Sequence, residues 1–432
     1  MSICFSRELN EEKEAGAVIC GAGPAGWVAA VAAARSGLRT VLIDRYGFAG
    51  GTAAAGYVLP ISGFYLRGRR VAGDIAYEFA RRMEAAGAAA FEFPKGNISF
   101  DPEYYKLIAG RMLREAGVEF VSNTYVCGCV TSDDADGKRI THVIAAGKSG
   151  MRAFPGRTVI DCTGDADVAA YAGVPMQPDD PERQPMSLCF LLEGVDTSTE
   201  LLAPYIHHDG KGGRGSRCDP VREFLLGIGD IGDFCGPWFN TVVTGAGTVA
   251  VNVTRTDCDA TDTAAFAEAE SRLREDMFRI TELLRGRFPE FADCRIAASG
   301  FNAGVRESRR ILGKYTFTRD DLFSGRKLPC PVAGCAHPVD IHAGHGPGQK
   351  LTSLGVLSFV PFDSMVAEGF PNLIVAGRSV SADPSAFASL RVQGTAMTLG
   401  EAAGRAAAFA AETGLPVYRL SGSGFSVRTD FE

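Results

Sequence analysis

"VICGAGPAGWVAA", Val18 to Ala30, sets three glycines, Gly21, Gly23 and Gly26, between a short apolar run and a stretch of alanines. The preceding "AGAVIC" contains β-branched Val18 and Ile19 and predicts a buried parallel strand. Pro24 falls in the first turn of the next element, where a missing N–H costs a helix nothing. A helix is expected through "AGWVAAVAAARS", stopping at Gly37, and "LRTVLID" then forms a second strand ending in Asp44. Strand, glycine turn, helix, strand and terminal acid stand at the spacing of a dinucleotide-binding fingerprint.

The chemistry of that fingerprint lies in the backbone. Gly21 permits a tight turn, and Gly23 lets the main chain, continuing through Pro24 and Ala25, approach a pyrophosphate. Gly26 lets helix and strand pack closely. The helix N-terminus offers free N–H groups and a positive dipole end to the phosphates, and Asp44 reaches a ribose hydroxyl. The alternative is an ordinary glycine-rich turn. The motif alone does not separate NAD from FAD. "DRYGFAGGTAAAG" continues through Arg45 to Gly50, Gly51 and Thr52, a second turn whose amides suit the longer, extended FAD; a plain surface loop is the competing reading.

The chain has 432 residues, a net charge of −7 and 46% hydrophobic content, which suggests two or three domains with an ample core. The mild acidity argues against nucleic acid as a partner. No apolar run approaches the roughly 18 residues of a membrane span, and "MSICFSRELNEEKEAG" lacks the apolar segment of a signal peptide, so a cytoplasmic setting is expected. Twelve cysteines, with no Cys-x-x-Cys pair, suit reduced and mostly buried thiols. Cys330 and Cys335 in "CPVAGC" are read as structural rather than redox-active.

Farther along, "FDPEYYKLIAGRMLREAGVEFV" predicts an amphipathic helix from about Pro102 to Ala116 and a strand near Val118. "ITHVIAAGKSGMRAFPGRTVIDCTGD" predicts two antiparallel strands, a further strand "RTVIDC" and a turn at Thr163–Gly164–Asp165. "NLIVAGRSVS" predicts a buried strand, followed after a loop by a long helix rich in small residues. These segments, with "GAGPAG", "GGTAAAG", "QPMSLCFLLEGVD", "GVRESRRILGKYTFTRDDL", "HPVDIH" and "ASLRV", make the chain resemble the FAD-dependent oxidoreductases of glutathione-reductase-like, fumarate-reductase-type fold, from about Gly16 to Gly414.

The resemblance implies an α/β fold: a glutathione-reductase-like, Rossmann-type FAD-binding domain with an inserted α+β substrate domain. The FAD domain would be discontinuous (1–56, 101–175 and 351–432), and 57–100 with 176–350 would bind substrate. It also implies that Gly21, Gly23 and Gly26 hold the pyrophosphate, Asp44 the adenosine ribose, and Gly51 and Thr52 the phosphates and flavin edge. Thr163 and Gly164 would supply another cofactor contact, Gly377 and Arg378 would lie near the ribityl–pyrophosphate portion, and the helix starting near Gly394 and Thr395 would aim its N-terminus at the flavin. That last feature has a physical purpose, because a reduced flavin gathers negative charge there. The chain departs from the family pattern in having Asp44 for a common Glu, Arg378 for a common Asp, and Gln393–Gly394 for Met-Pro.

Two segments concentrate the remaining chemistry. In "GVRESRRILG", Arg306 is a candidate for binding a substrate carboxylate or hydroxyl, against a structural reading in which Glu307 pairs with Arg310. "HPVDIHAGHGPGQK" holds His337, Asp340, His342 and His345, with Asp340 and His342 on one side of an extended chain. His342 is the expected base, oriented by Asp340, with His337 as a substrate contact; a purely structural cluster is the competing reading. No metal-ligand spacing accompanies them, and no metal is expected. Arg391 is a catalytic candidate for an anionic substrate or the flavin edge, and Tyr57 and Tyr65 are candidate pocket residues, with a place in the core as the equal alternative.

No second strand–glycine–helix unit appears for a nicotinamide nucleotide, so electrons would pass to oxygen, a quinone or a partner protein, or come from NAD(P)H bound without a dedicated domain. The leading expectation is a FAD-dependent dehydrogenase or oxidase moving hydride from a small polar molecule to flavin N5. The alternatives are a flavin monooxygenase and a non-catalytic flavoprotein with structural FAD. A homodimer is the assembly considered.

Overall fold

The computed structural model describes residues 6–92, 97–180, 182–203, 217–228, 233–344 and 348–429. β1 (Ala15–Cys20) is buried along nearly its whole length, as a strand covered on both faces must be. α1 (Pro24–Arg35) begins on the proline and carries the chain over to β2 (Thr40–Ile43), parallel to β1. α2 (Asp74–Ala85) and α3 (Pro102–Glu115) follow. Asp101 caps α3 by accepting hydrogen bonds from the Glu103 and Tyr104 amides at 2.7 and 3.1 Å. β3 (Glu119–Val121) then pairs in parallel with β2.

β4 (Thr124–Asp134), β5 (Gly137–Gly147) and β6 (Gly150–Asp161) form an antiparallel meander. The sequence reading divides β6 into two strands, whereas it is one strand of 12 residues. Its first half pairs antiparallel with β5, from Gly147↔Gly150 to His142↔Pro155. Its second half runs parallel to β1, from Gly156↔Ala15 to Asp161↔Cys20. Pro155 and Gly156 mark the change of partner, which is why a proline and a glycine are tolerated inside it.

A second, antiparallel sheet contains β7 (Phe190–Glu193), β8 (Phe234–Thr241), β9 (Val249–Thr254) and, beyond α4 (Thr263–Arg287), β10 (Arg295–Ser299), in the order β8-β9-β7-β10. The helical period of α4 buries Leu273, Met277, Ile280 and Leu284 in a core shared with Phe239 and Phe291, while Phe266 sits at its edge. β11 (Val339–His342) and β12 (Gln349–Thr352) make a separate hairpin.

The chain then returns to the first sheet. β13 (Leu373–Val375) lies parallel to the end of β6, giving the parallel order β3-β2-β1-β6-β13. α5 (Pro384–Leu390) leads into α6 (Gln393–Thr413), which packs against α1. The small residues of α6 allow that approach: a Cβ on Gly400 would lie 2.0 Å from the Ala25 carbonyl oxygen, and one on Gly404 2.4 Å from that of Ala29. Among the described residues no helix is long and apolar enough to cross a membrane.

Candidate active site

The carboxyl ends of β1, β2, β6 and β13 converge, the place where open parallel sheets bind ligands. The Gly21 amide donates to the Ile43 carbonyl (2.8 Å), the Cys162 amide to Cys20 (2.8 Å) and the Ala376 amide to Asp161 (3.0 Å). Gly21 has φ +95°, and a Cβ there would lie 2.4 Å from the Cys162 carbonyl oxygen. A Cβ on Gly26 would lie 1.7 Å from the Gly21 carbonyl oxygen, so this glycine is required by the protein's own packing. Gly23 differs, because nothing described lies within 4 Å of a Cβ placed on it.

Other segments close on this cradle. The Gly50 amide donates to Ala22 (2.8 Å), and a Cβ on Gly51 would come 2.7 Å from Gly23 Cα. The buried Asp44 carboxylate accepts from the Ala22 amide at 2.5 Å and the Tyr46 amide at 2.7 Å. Burial raises its pKa, and these two donors oppose the rise. Buried Asp161 fixes the turn after β6, accepting from the Thr163 amide and hydroxyl (3.0 and 2.7 Å) and the Ala169 amide (2.9 Å). Over Gly164 lies Arg378, which donates to Asp165 at 3.0 Å.

The result is an open groove of about 900 Å³, counted to its solvent mouth. From the first loop it is lined by Gly21, Gly23, Pro24 and Ala25, and from the end of β2 by Asp44, Arg45 and Tyr46. Gly51, Thr52, Ala55 and Gly56 come from the second glycine turn, and Cys162, Thr163, Gly164 and Asp165 follow β6. Gly377 and Arg378 follow β13, while Arg391, Gln393 and Ala396 stand at the start of α6. At this last end, buried polar atoms lack partners: Arg391 Nε and Gln393 Oε1 in the wall and Thr395 Oγ1 behind it. The Gln393 Nε2 donates to the Val58 carbonyl (2.7 Å), which leaves its oxygen as the unsatisfied atom.

Beside that end lies a charged cluster. Asp340 and His342 project from one face of β11, and His342 Nε2 meets Asp340 Oδ2 at 3.1 Å. Gln349 donates to the other Asp340 oxygen at 2.8 Å. The Arg255 Nη2 meets His342 Nδ1 at 3.1 Å. A guanidinium can only donate, so Nδ1 is the acceptor and Nε2 carries the proton shared with Asp340. Burial and the nearby Arg306 push the His342 pKa down to about 4. For Asp340, burial is outweighed by His342 and Arg391, which hold its carboxyl well below the usual range. Arg391 Nη2 donates to Gln184 Oε1 and to the Asp340 carbonyl, both at 3.0 Å. Burial brings the Arg391 pKa down to about 10. His337 Nδ1 meets the Pro338 carbonyl at 2.8 Å, which makes it the protonated nitrogen.

The sequence profile of FAD-dependent oxidoreductases matches residues 17–427. The chain belongs to this family. A search of curated protein sequences finds no significant match. Solved structures of similar fold include a geranylgeranyl bacteriochlorophyll reductase-like protein from Thermoplasma acidophilum, 13% identical, spanning 96% of this chain and 83% of that one at a TM-score of 0.50. The flavin-dependent brominase Bmp2 is 14% identical, with 95% and 82% of the chains covered and a TM-score of 0.48. The anhydrotetracycline hydroxylase OxyS of Streptomyces rimosus is 14% identical, with 95% and 65% covered and a TM-score of 0.46.

FAD fits the residues present in this family member. Gly23 leaves open space on the groove where a pyrophosphate needs close backbone approach, and the unpartnered Gln393 Oε1 offers an acceptor to an N–H on a polar ring edge. Thirteen residues expected at the site line the groove, Arg391 among them. Four expected cofactor residues do not. Gly26 and Gly50 pack behind the loops, the latter toward Ala54 and Tyr105. Gly394 is pressed against the Ser62 carbonyl, 2.7 Å from its would-be Cβ, and Thr395 is buried behind the wall. On a helix, Gln393 and Ala396 share the face turned to the groove instead.

Tyr57 and Tyr65 pack against the main core rather than lining the groove. Arg306, His337, Asp340 and His342 lie outside the lining; Arg306 follows Val305 of the wall in the chain, and the Asp340 carbonyl accepts from Arg391. His345 falls outside the described residues. Glu307 does pair with Arg310, both buried. Tyr46, Asp165, Asn302 and Gln393 are groove residues that the sequence reading did not select. Asp165 and Gln393 adjoin quoted motifs and were within reach of that signal; Asn302 has none.

Proposed function

We propose that this chain is a FAD-dependent dehydrogenase or oxidase acting on a small polar molecule. Its cofactor domain would be glutathione-reductase-like and discontinuous (1–56, 101–175, 351–432), with 57–100 and 176–350 forming the α+β substrate domain. The groove lined by Asp44, by the two glycine turns and by Arg391 and Gln393, each with an unpartnered buried atom, and with a histidine–arginine cluster beside Arg391, carries the reading. When bound, FAD would supply a hydride acceptor at N5. Gly21, Gly23, Pro24 and Ala25 would cradle the pyrophosphate, Asp44 the ribose, and Arg378 a phosphate.

The proton is handled by the chain. His342 was the base expected from spacing, yet its acceptor nitrogen already receives Arg255, and protonation there would set two cations face to face. His342 is better suited to orient Arg255 and Asp340. His337 has its Nδ1 engaged with Pro338 and its pKa lowered by burial, so a neutral ring offers Nε2 as the acceptor. We assign it the proton.

Anaerobic addition of alcohols, amines, hydroxy acids and sugars to the FAD-loaded protein tests the reading, with one class expected to bleach the visible flavin band. His337→Gln should keep the FAD and slow bleaching by ~100-fold or more, the scale of a lost acid–base group. Bleaching by NAD(P)H alone, with oxygen uptake and an oxygenated product, would replace this reading with a monooxygenase. Retention of FAD with no bleaching by any compound would leave a structural flavin.

A further inference from the structure

We propose that the substrate is an organic acid whose carboxylate docks between the guanidinium groups of Arg306 and Arg391; this rests on the flavoenzyme reading above. Arg306 follows groove-lining Val305 and is half-buried. Its Nη1 donates to the Pro185 carbonyl (2.6 Å) and the Ser187 hydroxyl (2.9 Å), and its Nη2 approaches the Cys235 sulfur at 3.9 Å. All three partners are uncharged. The other arginines of the same segment have counter-ions, Arg309 in Asp167 and Arg310 in Glu307. Arg306 has no ion-pair carboxylate among the described residues.

Arg391 is the second half of the site. Both of its hydrogen bonds leave from Nη2, and its buried Nε has no partner. Among the described residues its ion-pair carboxylate, Asp340 at 3.7 Å, is already committed to His342 and Gln349. The two arginines are tied to consecutive residues, Arg391 to Gln184 and Arg306 to Pro185, so one short segment holds both. The mutual influence of these groups agrees: Arg306 is among the groups that depress both Arg391 and His342. Of the other cations present, Arg378 pairs with Asp165, and Arg255 is acted on by Asp233 and Asp340 and donates to His342 and to the Gly348 carbonyl.

Burying cationic charge without a counter-ion is costly, and the cost is tolerated where a ligand brings the missing charge. A carboxylate suits two guanidiniums because each can give it short, charge-assisted hydrogen bonds. A neutral polar substrate would leave Arg306 unmatched.

The FAD-loaded protein is titrated with acetate, lactate, succinate and benzoate, each beside its amide, and with inorganic phosphate, while the bound-flavin spectrum is recorded. At least one carboxylate should give a saturable spectral shift, with its amide weaker by about tenfold or more. Arg306→Gln should weaken that carboxylate by about tenfold or more at unchanged FAD content, and Arg306→Lys should restore part of it. Arg391→Lys gives the independent check from the groove side. The proposal is overturned if no carboxylate shifts the spectrum, if amides match their acids, or if phosphate matches the best carboxylate. A protein that takes up no FAD fails the flavoenzyme reading itself, and this inference with it.

Discussion

Gly23→Ala separates what the ligand demands from what the fold demands. Gly23 is the N-cap of α1 with φ −63° and ψ −177°, extended backbone open to any residue. Its Cβ would meet nothing within 4 Å. Alanine is a poorer N-cap than glycine by roughly 0.5–1 kcal/mol, but it also removes about 0.4–1 kcal/mol of unfolded-chain entropy. The cofactor-free protein should therefore keep its stability to within about 0.5 kcal/mol. If a pyrophosphate lies against this loop, the added methyl occupies its space. Overpacking of this kind costs roughly 1–3 kcal/mol, which converts to a roughly 5- to 150-fold weaker FAD affinity.

The assay is paired: chemical denaturation of the cofactor-free protein, and FAD titration by quenching of flavin fluorescence. Gly26→Ala is the control of opposite character. Its Cβ would lie 1.7 Å from the Gly21 carbonyl oxygen, so it should destabilise the protein even without FAD. Equal FAD affinity in Gly23→Ala and wild type would refute the placement of the pyrophosphate. A large loss of cofactor-free stability in Gly23→Ala would refute the claim that the space is open.

The charged cluster yields further tests. His342 has its pKa lowered from 6.5 to about 4 in the fold, so the unfolded chain takes up its proton first as pH falls. Its contribution is whole above pH 6.5 and is lost toward pH 4, about 3 kcal/mol in all; His342→Gln should lose less stability across that window in denaturant titrations. Glu307→Ala would leave Arg310 buried without its counter-ion and should cost roughly 3–5 kcal/mol, whereas Glu307→Leu paired with Arg310→Met should recover much of it by the same measurement. Among the described cysteines Cys127 is the exposed one, so mass spectrometry after brief alkylation should find it labelled before Cys20, Cys162 or Cys335, whose thiols burial pushes upward.

Local chemistry was the legible part of this protein. Glycine spacing, Pro24, the helical period of α4 and the two-residue offset of Asp340 and His342 each depend on neighbours within a few positions. What escaped depends on distant segments. Arg255, which fills the second His342 nitrogen, stands 87 positions away in sequence. Asn302 enters the groove because the Phe301 amide donates to the Ala55 carbonyl (2.7 Å) and Tyr46 hydrogen-bonds the Asn302 side chain, links that no periodicity encodes. At α6 the sequence predicts the helix but not the face it turns: Gly394 and Thr395 lie roughly half a turn around the axis from the Gln393–Ala396 face.

The glycines show why such a motif is only half structural. Gly21 and Gly26 are fixed by backbone atoms of the same protein, which would clash with any side chain whether or not a ligand is present. Their pattern would persist in a member of this fold that had lost its cofactor. Gly23 has no such constraint, and neither sterics nor dihedral angle excludes alanine there. A glycine that the protein does not need reflects the shape of what it binds. The same holds for Arg306, a cation with no ion-pair carboxylate among the described residues: the fold supplies its position, and only a bound anion supplies its reason.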